Sequence, residues 1–190
     1  MAADHPDARL VAQIRAGDEA ALETVFHQLY AALVAYAVRS LGDISAAEDV
    51  VQTVFVELWE RRSSFAPVSG IRPYLFSAVR YRARDRQRGN RRSDEYTNLY
   101  AADAERWSDT AHEELERAER DATVHGALDG LAPRTREALI LVRDHGLSYR
   151  EAALVMGVSV NTVKTQLSRA VATLRKVIGP LLTVLLAASR

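Results

Sequence analysis

Apolar residues recur at three- and four-residue steps along most of this chain, which is the period of amphipathic α-helices rather than of β-strands. A short first helix is predicted over residues 9–16. A long second helix is predicted over residues 18–41, because Asp18 is a suitable N-cap and Gly42 a suitable end. The pattern therefore indicates an all-α protein from its beginning.

The third and fourth helices are separated by a segment that contains proline and glycine, residues 62–70. The third helix is predicted to begin at Ser45, three residues before Glu48 as in a capping box, and to run through residue 61. Pro73 suits the first turn of the fourth helix. The second and third helices each have an apolar face, which we expect to form a core: Leu22, Val25, Phe26, Leu29, Leu33 and Ala37, then Val51, Val54, Phe55 and Leu58.

The second half of the chain reads as a separate helical unit after a polar, acidic segment without helical periodicity. Two further helices are predicted over residues 113–129 and 133–144. We therefore expect two small helical domains, residues 1–92 and 113–180, joined by an acidic linker over residues 93–112. An apolar tail, residues 181–190, either packs on its own domain or contacts a partner.

Residues 146–176 have the pattern of two helices joined by a tight turn. Ser148 and Ser159 are candidate N-caps, and Gly157 can take the positive φ that ends a helix. The second helix has an apolar face of Val160, Val163, Leu167, Val171 and Leu174, and a polar face of Asn161, Thr162, Lys164, Thr165, Ser168 and Arg169. A polar, cationic helix after a short scaffold helix is typical of a helix-turn-helix that enters the DNA major groove. An ordinary helical hairpin with a solvated face is the alternative.

The formal net charge is zero, but the charges are segregated. Residues 1–70 carry −5, residues 71–92 carry +7 from eight arginines and one aspartate, residues 93–121 carry −7, and residues 161–176 carry +4. Two basic patches separated by an acidic stretch indicate two contacts with a polyanion. Eight arginines so close together would repel one another without an anion, so the fourth helix beyond Tyr81 is expected to face solvent or phosphate.

Composition excludes several other classes. The chain has no cysteine, and its polar N-terminus does not resemble a signal peptide. No apolar run approaches the ~20 residues of a membrane-spanning helix, so we expect a cytoplasmic protein without membrane insertion. The segment 112–116 begins His-Glu but ends in glutamate, so it is not a His-Glu-x-x-His zinc motif. With no phosphate-binding glycine loop and no nucleophile motif, we expect no cofactor, no metal and no catalysis.

Three segments together resemble the bacterial extracytoplasmic-function (ECF) sigma factors, the two-domain type of the primary sigma superfamily. Residues 47–59, AEDVVQTVFVELW, are similar to the family's polymerase-docking helix. Residues 72–88, RPYLFSAVRYRARDRQR, are similar to its promoter-melting helix. Residues 131–139, LAPRTREAL, with the helix-turn-helix after them, are similar to its C-terminal domain. Tyr74 stands where the family usually has tryptophan, and Tyr81 where it often has asparagine.

The resemblance implies that core RNA polymerase, promoter DNA and an anti-sigma factor are the partners. Contacts with the polymerase clamp would come from Asp49, Gln52, Thr53 and Glu57. Contacts with the unwound minus-ten element would come from Ser63, Ser64, Phe65, Arg80, Arg84, Arg88 and Arg91. Phe65 has packing in the domain core as its alternative role. The polar face of the helix-turn-helix would read the minus-thirty-five element.

The acidic linker would, on the same resemblance, run through the polymerase interior, where its charge suits a cationic channel; a solvated spacer is the alternative. Two other functions stay open at this point. Besides a sigma factor, the chain could be a free-standing helix-turn-helix regulator that acts without polymerase. It could also be an interaction protein that keeps the fold and titrates a partner.

Overall fold

The first four helices follow the sequence pattern closely. The computed structural model describes residues 7–94, 126, 128 and 130–188, with side chains for residues 7–89, 126, 128 and 130–176. Helix α1 spans Ala8–Arg15, α2 Glu19–Leu41, α3 Ile44–Glu60 and α4 Ile71–Asp94. A single 3-10 turn, Arg62–Ser64, lies between α3 and α4.

The ends of α2 confirm the sequence prediction. Asp18 precedes the helix in an extended conformation, and its Oδ1 accepts hydrogen bonds from the amides of Ala20 and Ala21. Gly42 ends the helix at φ 75°, and its N–H donates to the carbonyl of Val38 at 2.7 Å. Both signals are local, which is why the sequence contained them.

The predicted N-cap of α3 is wrong. Ser45 lies inside the helix, which begins at Ile44. The cap is Asp43, whose backbone is extended (φ −131°, ψ 130°) and whose Oδ1 accepts from the Ala46 amide at 2.6 Å. An N-cap residue must stand outside the helix while its side chain reaches back to a first-turn amide, and Asp43 satisfies both conditions.

Helices α2, α3 and α4 pack on one another, and α1 packs on α2. Their shared core contains Leu33 and Ala37 of α2, Val51, Val54, Phe55 and Leu58 of α3, and Leu75, Phe76 and Val79 of α4, all of them buried. Tyr36 meets Phe76 edge-on with ring centroids 5.4 Å apart, and Phe26 meets Phe55 at 5.0 Å. This core holds the outer faces of α3 and α4 in a fixed relation.

Helix α2 also corrects one expectation from composition. Among the described helices it is long and apolar enough, by length and composition alone, to cross a membrane. A central core helix meets the same criterion, and Leu33, Val34 and Ala37 of α2 are buried by protein. The sequence expectation missed this because it looked for an unbroken apolar run.

In the second half, α5 spans Pro133–Leu139, α6 Tyr149–Met156 and α7 Val160–Ala188. Helix α5 continues as a π-helical turn, Ile140–Asp144, in which the His145 amide donates to the Ile140 carbonyl at 3.1 Å. Helix α5 packs on α7, where Val163, Leu167 and Ala170 are buried. The buried Thr135 hydroxyl donates to Gln166 Oε1 across this contact.

All regular structure in the described residues is helical, as the sequence predicted. The molecule divides into two compact units: the first holds α1 to α4 with Arg150–Gly157 of the α6 segment, and the second holds α5 and α7. Of the predicted helix over residues 113–129, only residues 126 and 128 are described, and both are helical. Apart from residues 93 and 94, the predicted linker, residues 93–112, lies outside the described residues. The backbone of the predicted tail continues α7 as far as Ala188.

Candidate nucleic-acid interface

The outer face of α4 combines exposed aromatic and cationic side chains. Tyr74, Tyr81, Arg84 and Arg88 follow one another at steps of seven, three and four residues, so they share one side of the helix. All four are exposed, and Tyr81 has 62% of its surface accessible. Tyrosine rings stack on unpaired bases, and guanidinium groups bind phosphates. This face therefore has the chemistry of a single-strand binding surface.

The arginines of α4 do not all point the same way. Arg82 forms a two-point ion pair with Glu57 of α3, in which Arg82 Nε lies 3.3 Å from Glu57 Oε2 and Nη2 pairs with Oε1. Arg86 pairs with Asp49 of α3 through both terminal nitrogens, each 3.3 Å from Oδ2. Helix α3 thus supplies part of the anionic charge that the sequence led us to seek in solvent or DNA.

The four arginines predicted to contact the minus-ten element form the predicted stripe (Arg80, Arg84, Arg88 and Arg91), and they differ in exposure. Arg84 and Arg88 are exposed, and Arg88 pairs with Asp85 one turn earlier. Arg80 is half-buried. The side chain of Arg91 lies outside the described residues. The stripe is therefore a cationic face only where α4 turns away from α3.

The outer face of α3 presents the other predicted contact residues. Gln52 and Thr53 are exposed, and the Thr53 hydroxyl donates to the backbone carbonyl of Asp49 at 2.7 Å. Val56, which sequence reasoning did not select, is 56% exposed beside them. The only sequence signal for this exposed residue was that it is a valine at a position of α3 that does not face the core. Because Asp49 and Glu57 already pair with α4, the centre of this surface is neutral and partly apolar.

The loop over residues 62–70 is anchored by one buried aromatic side chain and is exposed at its tip. Phe65 is buried and packs edge-on against the Tyr74 ring, with centroids 5.0 Å apart. In this arrangement Phe65 anchors the loop, which is the packing role that the sequence left open. Ser63 and Ser64 are exposed, and Val68 at the tip is 90% exposed. Val68 is the loop side chain most available to a ligand, and nothing in the sequence pattern pointed to it.

The turn before α7 forms as the sequence predicts. Helix α6 begins directly after Ser148, and Gly157 follows its last residue at φ 65°. Ser159 caps α7, since its Oγ accepts from the Thr162 amide at 3.1 Å. These contacts fix where the first turn of α7 begins, and with it the side chains proposed to reach DNA.

The six predicted reading residues lie on the outer side of α7, but they are not equivalent. Asn161, Lys164, Ser168 and Arg169 are exposed. The Thr162 hydroxyl contacts Ser159 Oγ at 2.8 Å, and the Thr165 hydroxyl donates to the Asn161 carbonyl at 3.0 Å. Both threonine hydroxyls therefore serve the helix itself, and the amide and cationic side chains are better placed to meet a base or phosphate.

The predicted apolar face of α7 is wrong at one position. Val171 is 44% exposed, whereas its neighbour Ala170 is fully buried. The buried row steps from Val163 to Leu167 to Ala170, and a small alanine allows α5 to approach closely.

Among the described residues, no group of three histidine, cysteine, aspartate or glutamate side chains is arranged to hold a metal ion.

Comparison with known families places both halves of the chain in one superfamily. The family model for sigma-70 region 2 matches residues 25–93, and the model for sigma-70 region 4 matches residues 121–174. The RNA polymerase sigma-H factor of Pseudomonas aeruginosa is 30% identical over 96% of this chain and 98% of its own length. The ECF RNA polymerase sigma factor EcfG of Rhodopseudomonas palustris is 34% identical over 73% of this chain and 74% of its own.

Two solved structures are similar in fold and sequence. CnrH, determined in complex with the cytosolic domain of CnrY, aligns with a TM-score of 0.63 at 29% identity, covering 92% of this chain and 97% of that one. The sigma factor RpoE of Bartonella quintana, determined with the anti-sigma factor NepR, aligns with a TM-score of 0.57 at 25% identity, covering 83% and 96%. The relatives match across both halves, which does not favour a free-standing helix-turn-helix regulator.

Proposed function

Because the chain belongs to the extracytoplasmic-function sigma factors of bacterial RNA polymerase, we propose a specific role for each of the surfaces described above. As a sigma factor, the protein binds core RNA polymerase and directs promoter recognition and melting. We assign polymerase docking and minus-ten binding to residues 1–92 and minus-thirty-five binding to residues 113–180. The acidic linker, residues 93–112, connects them through the polymerase interior.

Promoter melting is assigned to the outer face of α4 and to loop 62–70. A protein without a motor can favour melted DNA only by binding the separated strand more tightly than the duplex. The observation that carries this assignment is the shared exposed face of Tyr74, Tyr81, Arg84 and Arg88, which offers ring faces for bases and guanidinium groups for phosphates. Ser63, Ser64 and Val68 contact an extruded base from the loop, which Phe65 anchors.

The test compares a double variant, Arg80→Ala with Arg84→Ala, on duplex and pre-melted promoter templates. We expect open-complex formation to fall more on the duplex, because the pre-melted template no longer needs strand separation. Arg9→Ala with Arg15→Ala removes the same charge from exposed positions on α1 and serves as the matched control. Equal losses on both templates would mean that the arginines only anchor DNA.

The loop has its own test. Replacing residues 62–70 with the corresponding loop of a relative is expected to transfer that relative's minus-ten preference and to leave the minus-thirty-five preference unchanged. The physical reason is that the loop is anchored to the domain while its exposed part consists of side chains. Exchanging those side chains therefore changes the contacts that the loop offers to DNA. A chimera with unaltered minus-ten preference would remove the loop from specificity.

Reading of the minus-thirty-five element is assigned to α7. Arginine can pair with guanine through two hydrogen bonds, whereas lysine more often holds phosphate. Arg169→Ala is expected to cost roughly 1–3 kcal/mol of binding and to relax preference at one base. Lys164→Ala is expected to weaken binding evenly across sequences and to reduce the salt slope by about one unit. If both variants keep promoter selection and salt dependence, α7 is not the reader.

Polymerase docking is assigned to the outer face of α3, centred on Gln52, Thr53 and Val56 and flanked by Asp49 and Glu57. We further expect regulation by an anti-sigma factor that covers this surface, since the solved relative RpoE was determined with one. The protein acts in the cytoplasm, where its polymerase is, and has no catalytic activity of its own.

A further inference from the structure

The two ends of α1 lie at the two ends of loop 62–70, to which minus-ten binding is assigned. Asp7, which directly precedes α1, accepts a hydrogen bond on Oδ2 from the backbone amide of Ile71 at 3.1 Å. Ile71 is the first residue of α4 and follows the loop directly. Just beyond the other end of α1, a β-carbon placed on Gly17 would lie 3.7 Å from Nε of Arg62, the first residue of the loop. Helix α1 also packs on the 3-10 turn at that end.

The contact at Ile71 replaces an ordinary helix cap. The first amides of a helix have no partner within it, and the residue before the helix usually supplies one with a side-chain oxygen. That residue is Gly70 here, which has no side chain, is buried and takes φ 99°. Asp7 supplies the oxygen from 64 residues away, and its carboxylate also suits the positive end of the helix dipole. The downstream end of the loop is therefore tied to α1.

The upstream end is tied in a different way. The guanidinium group of Arg62 lies 4.4 Å from the centroid of the Trp59 ring, and Nη1 donates to the Trp59 carbonyl at 2.8 Å. Gly17 allows the chain after α1 to pass beside this side chain, at a φ of 87° that only glycine takes readily. Arg62 is thus held by Trp59 at the end of α3 and lies beside the end of α1.

We infer that α1 is a strut that sets the distance between the two ends of loop 62–70, and that Asp7 is a positioning residue for minus-ten recognition. The inference rests on the proposed function of that loop. Asp7 does not touch DNA in this account: it acts through Ile71 on the loop tip, where Val68 and the serines stand. Without the Asp7 oxygen, the downstream end of the loop is no longer held in place, and its contacts with the extruded base become less selective.

The test uses the holoenzyme on a promoter library randomised at the minus-ten and minus-thirty-five positions. With Asp7→Ala, we expect the ratio of the preferred to the next-preferred minus-ten base to fall by about threefold or more, since loss of a helix cap shifts an equilibrium by at least roughly that factor. The minus-thirty-five preference and the affinity for core polymerase are expected to stay at wild-type values. Asp7→Asn keeps an acceptor oxygen and is expected to retain most of the discrimination.

The matched control is Asp43→Ala, which removes another N-cap aspartate of the same unit, one that accepts from the Ala46 amide at the start of α3 and lies on a different helix from α1. We expect it to lower thermal stability without changing minus-ten preference. A wild-type preference in Asp7→Ala would overturn the inference. So would an equal loss in Asp43→Ala, which would reduce the effect to general instability.

The loop chimera separates this inference from the function on which it rests. If the chimera changes minus-ten preference and Asp7→Ala does not, the strut is wrong and the loop assignment stands. If neither changes it, both are wrong. Should Asp7→Ala not fold, amide hydrogen exchange in the wild-type protein decides. The Ile71 amide is expected to exchange at least about tenfold more slowly than in an unstructured peptide, and exchange at the unstructured rate would contradict the bond.

Discussion

The ion pair between Glu57 and Arg82 offers a quantitative test of how α3 and α4 are held together. It joins the proposed polymerase-docking helix to the proposed melting helix, and it uses two nitrogen–oxygen contacts in parallel. The neutral variants Glu57→Gln and Arg82→Gln, and the double variant, form a double-mutant cycle whose coupling energy isolates the pair. A second cycle, Asp49→Asn with Arg86→Gln, covers the other pair between the same helices.

The expected magnitudes follow from exposure and geometry. Side chains of Arg82 and Glu57 are 38% and 30% exposed, so solvent screens the pair and a value near the top of the surface range, about 1 kcal/mol, is expected from its fork-like contact. Arg86 and Asp49 are 40% and 59% exposed, and both nitrogens meet a single oxygen at 3.3 Å. That pair is expected to contribute about 0.3 kcal/mol.

The assay is urea unfolding of each variant, followed by helical circular dichroism, at low salt and again at 1 M salt. Because the Debye length falls from about 10 Å at 0.1 M to about 3 Å at 1 M, both couplings should decrease, and that of the more exposed pair should approach zero. A coupling at Glu57–Arg82 within error of zero would refute the reasoning. A larger coupling at Asp49–Arg86 would refute the ranking by geometry.

Three other predictions concern the polymerase-facing surface, the turn before α7 and the start of α3. Gln52→Ala with Thr53→Ala should weaken binding to core polymerase in a pull-down titration while thermal unfolding stays near wild type, since both residues are exposed; unchanged affinity would remove α3 from docking. Gly157→Ala should cost about 1 kcal/mol in urea unfolding because of its positive φ, whereas Gly89→Ala inside α4 should stabilise by about 0.5–1 kcal/mol; equal signs would contradict the φ argument. Asp43→Ala should lower stability by about 1 kcal/mol in the same assay, and no change would mean that the cap is unimportant.

Features that depend on neighbours in sequence were predictable. The caps Asp18 and Ser159 and the glycine turn at Gly157 each involve contacts within a few residues, so residue type and spacing were sufficient. Even so, the sequence analysis selected Ser45 as the cap of α3, whereas the structure uses Asp43, two residues earlier. Choosing between them requires the backbone angles, which sequence pattern does not contain.

Features that join distant segments were not predictable. Arg82 and Arg86 meet carboxylates 25 and 37 residues away, and nothing in the arginine pattern of α4 distinguishes them from Arg84 and Arg88. Which arginines face α3 depends on how α4 is rotated about its axis, and the shared core fixes that rotation. The bond from Asp7 to Ile71 spans 64 residues and is equally invisible to local pattern.

Run-off transcription with purified core polymerase, with and without this protein, tests the central claim most directly. The template is a promoter selected by the holoenzyme from a randomised library, and a shuffled version of it is the control. A sigma factor that docks through α3 and melts DNA through α4 should give a transcript from one defined start only when the protein is present and only on the selected promoter. Specific binding of the protein to DNA without any such transcript would contradict the account and would indicate a regulator that acts without docking on polymerase.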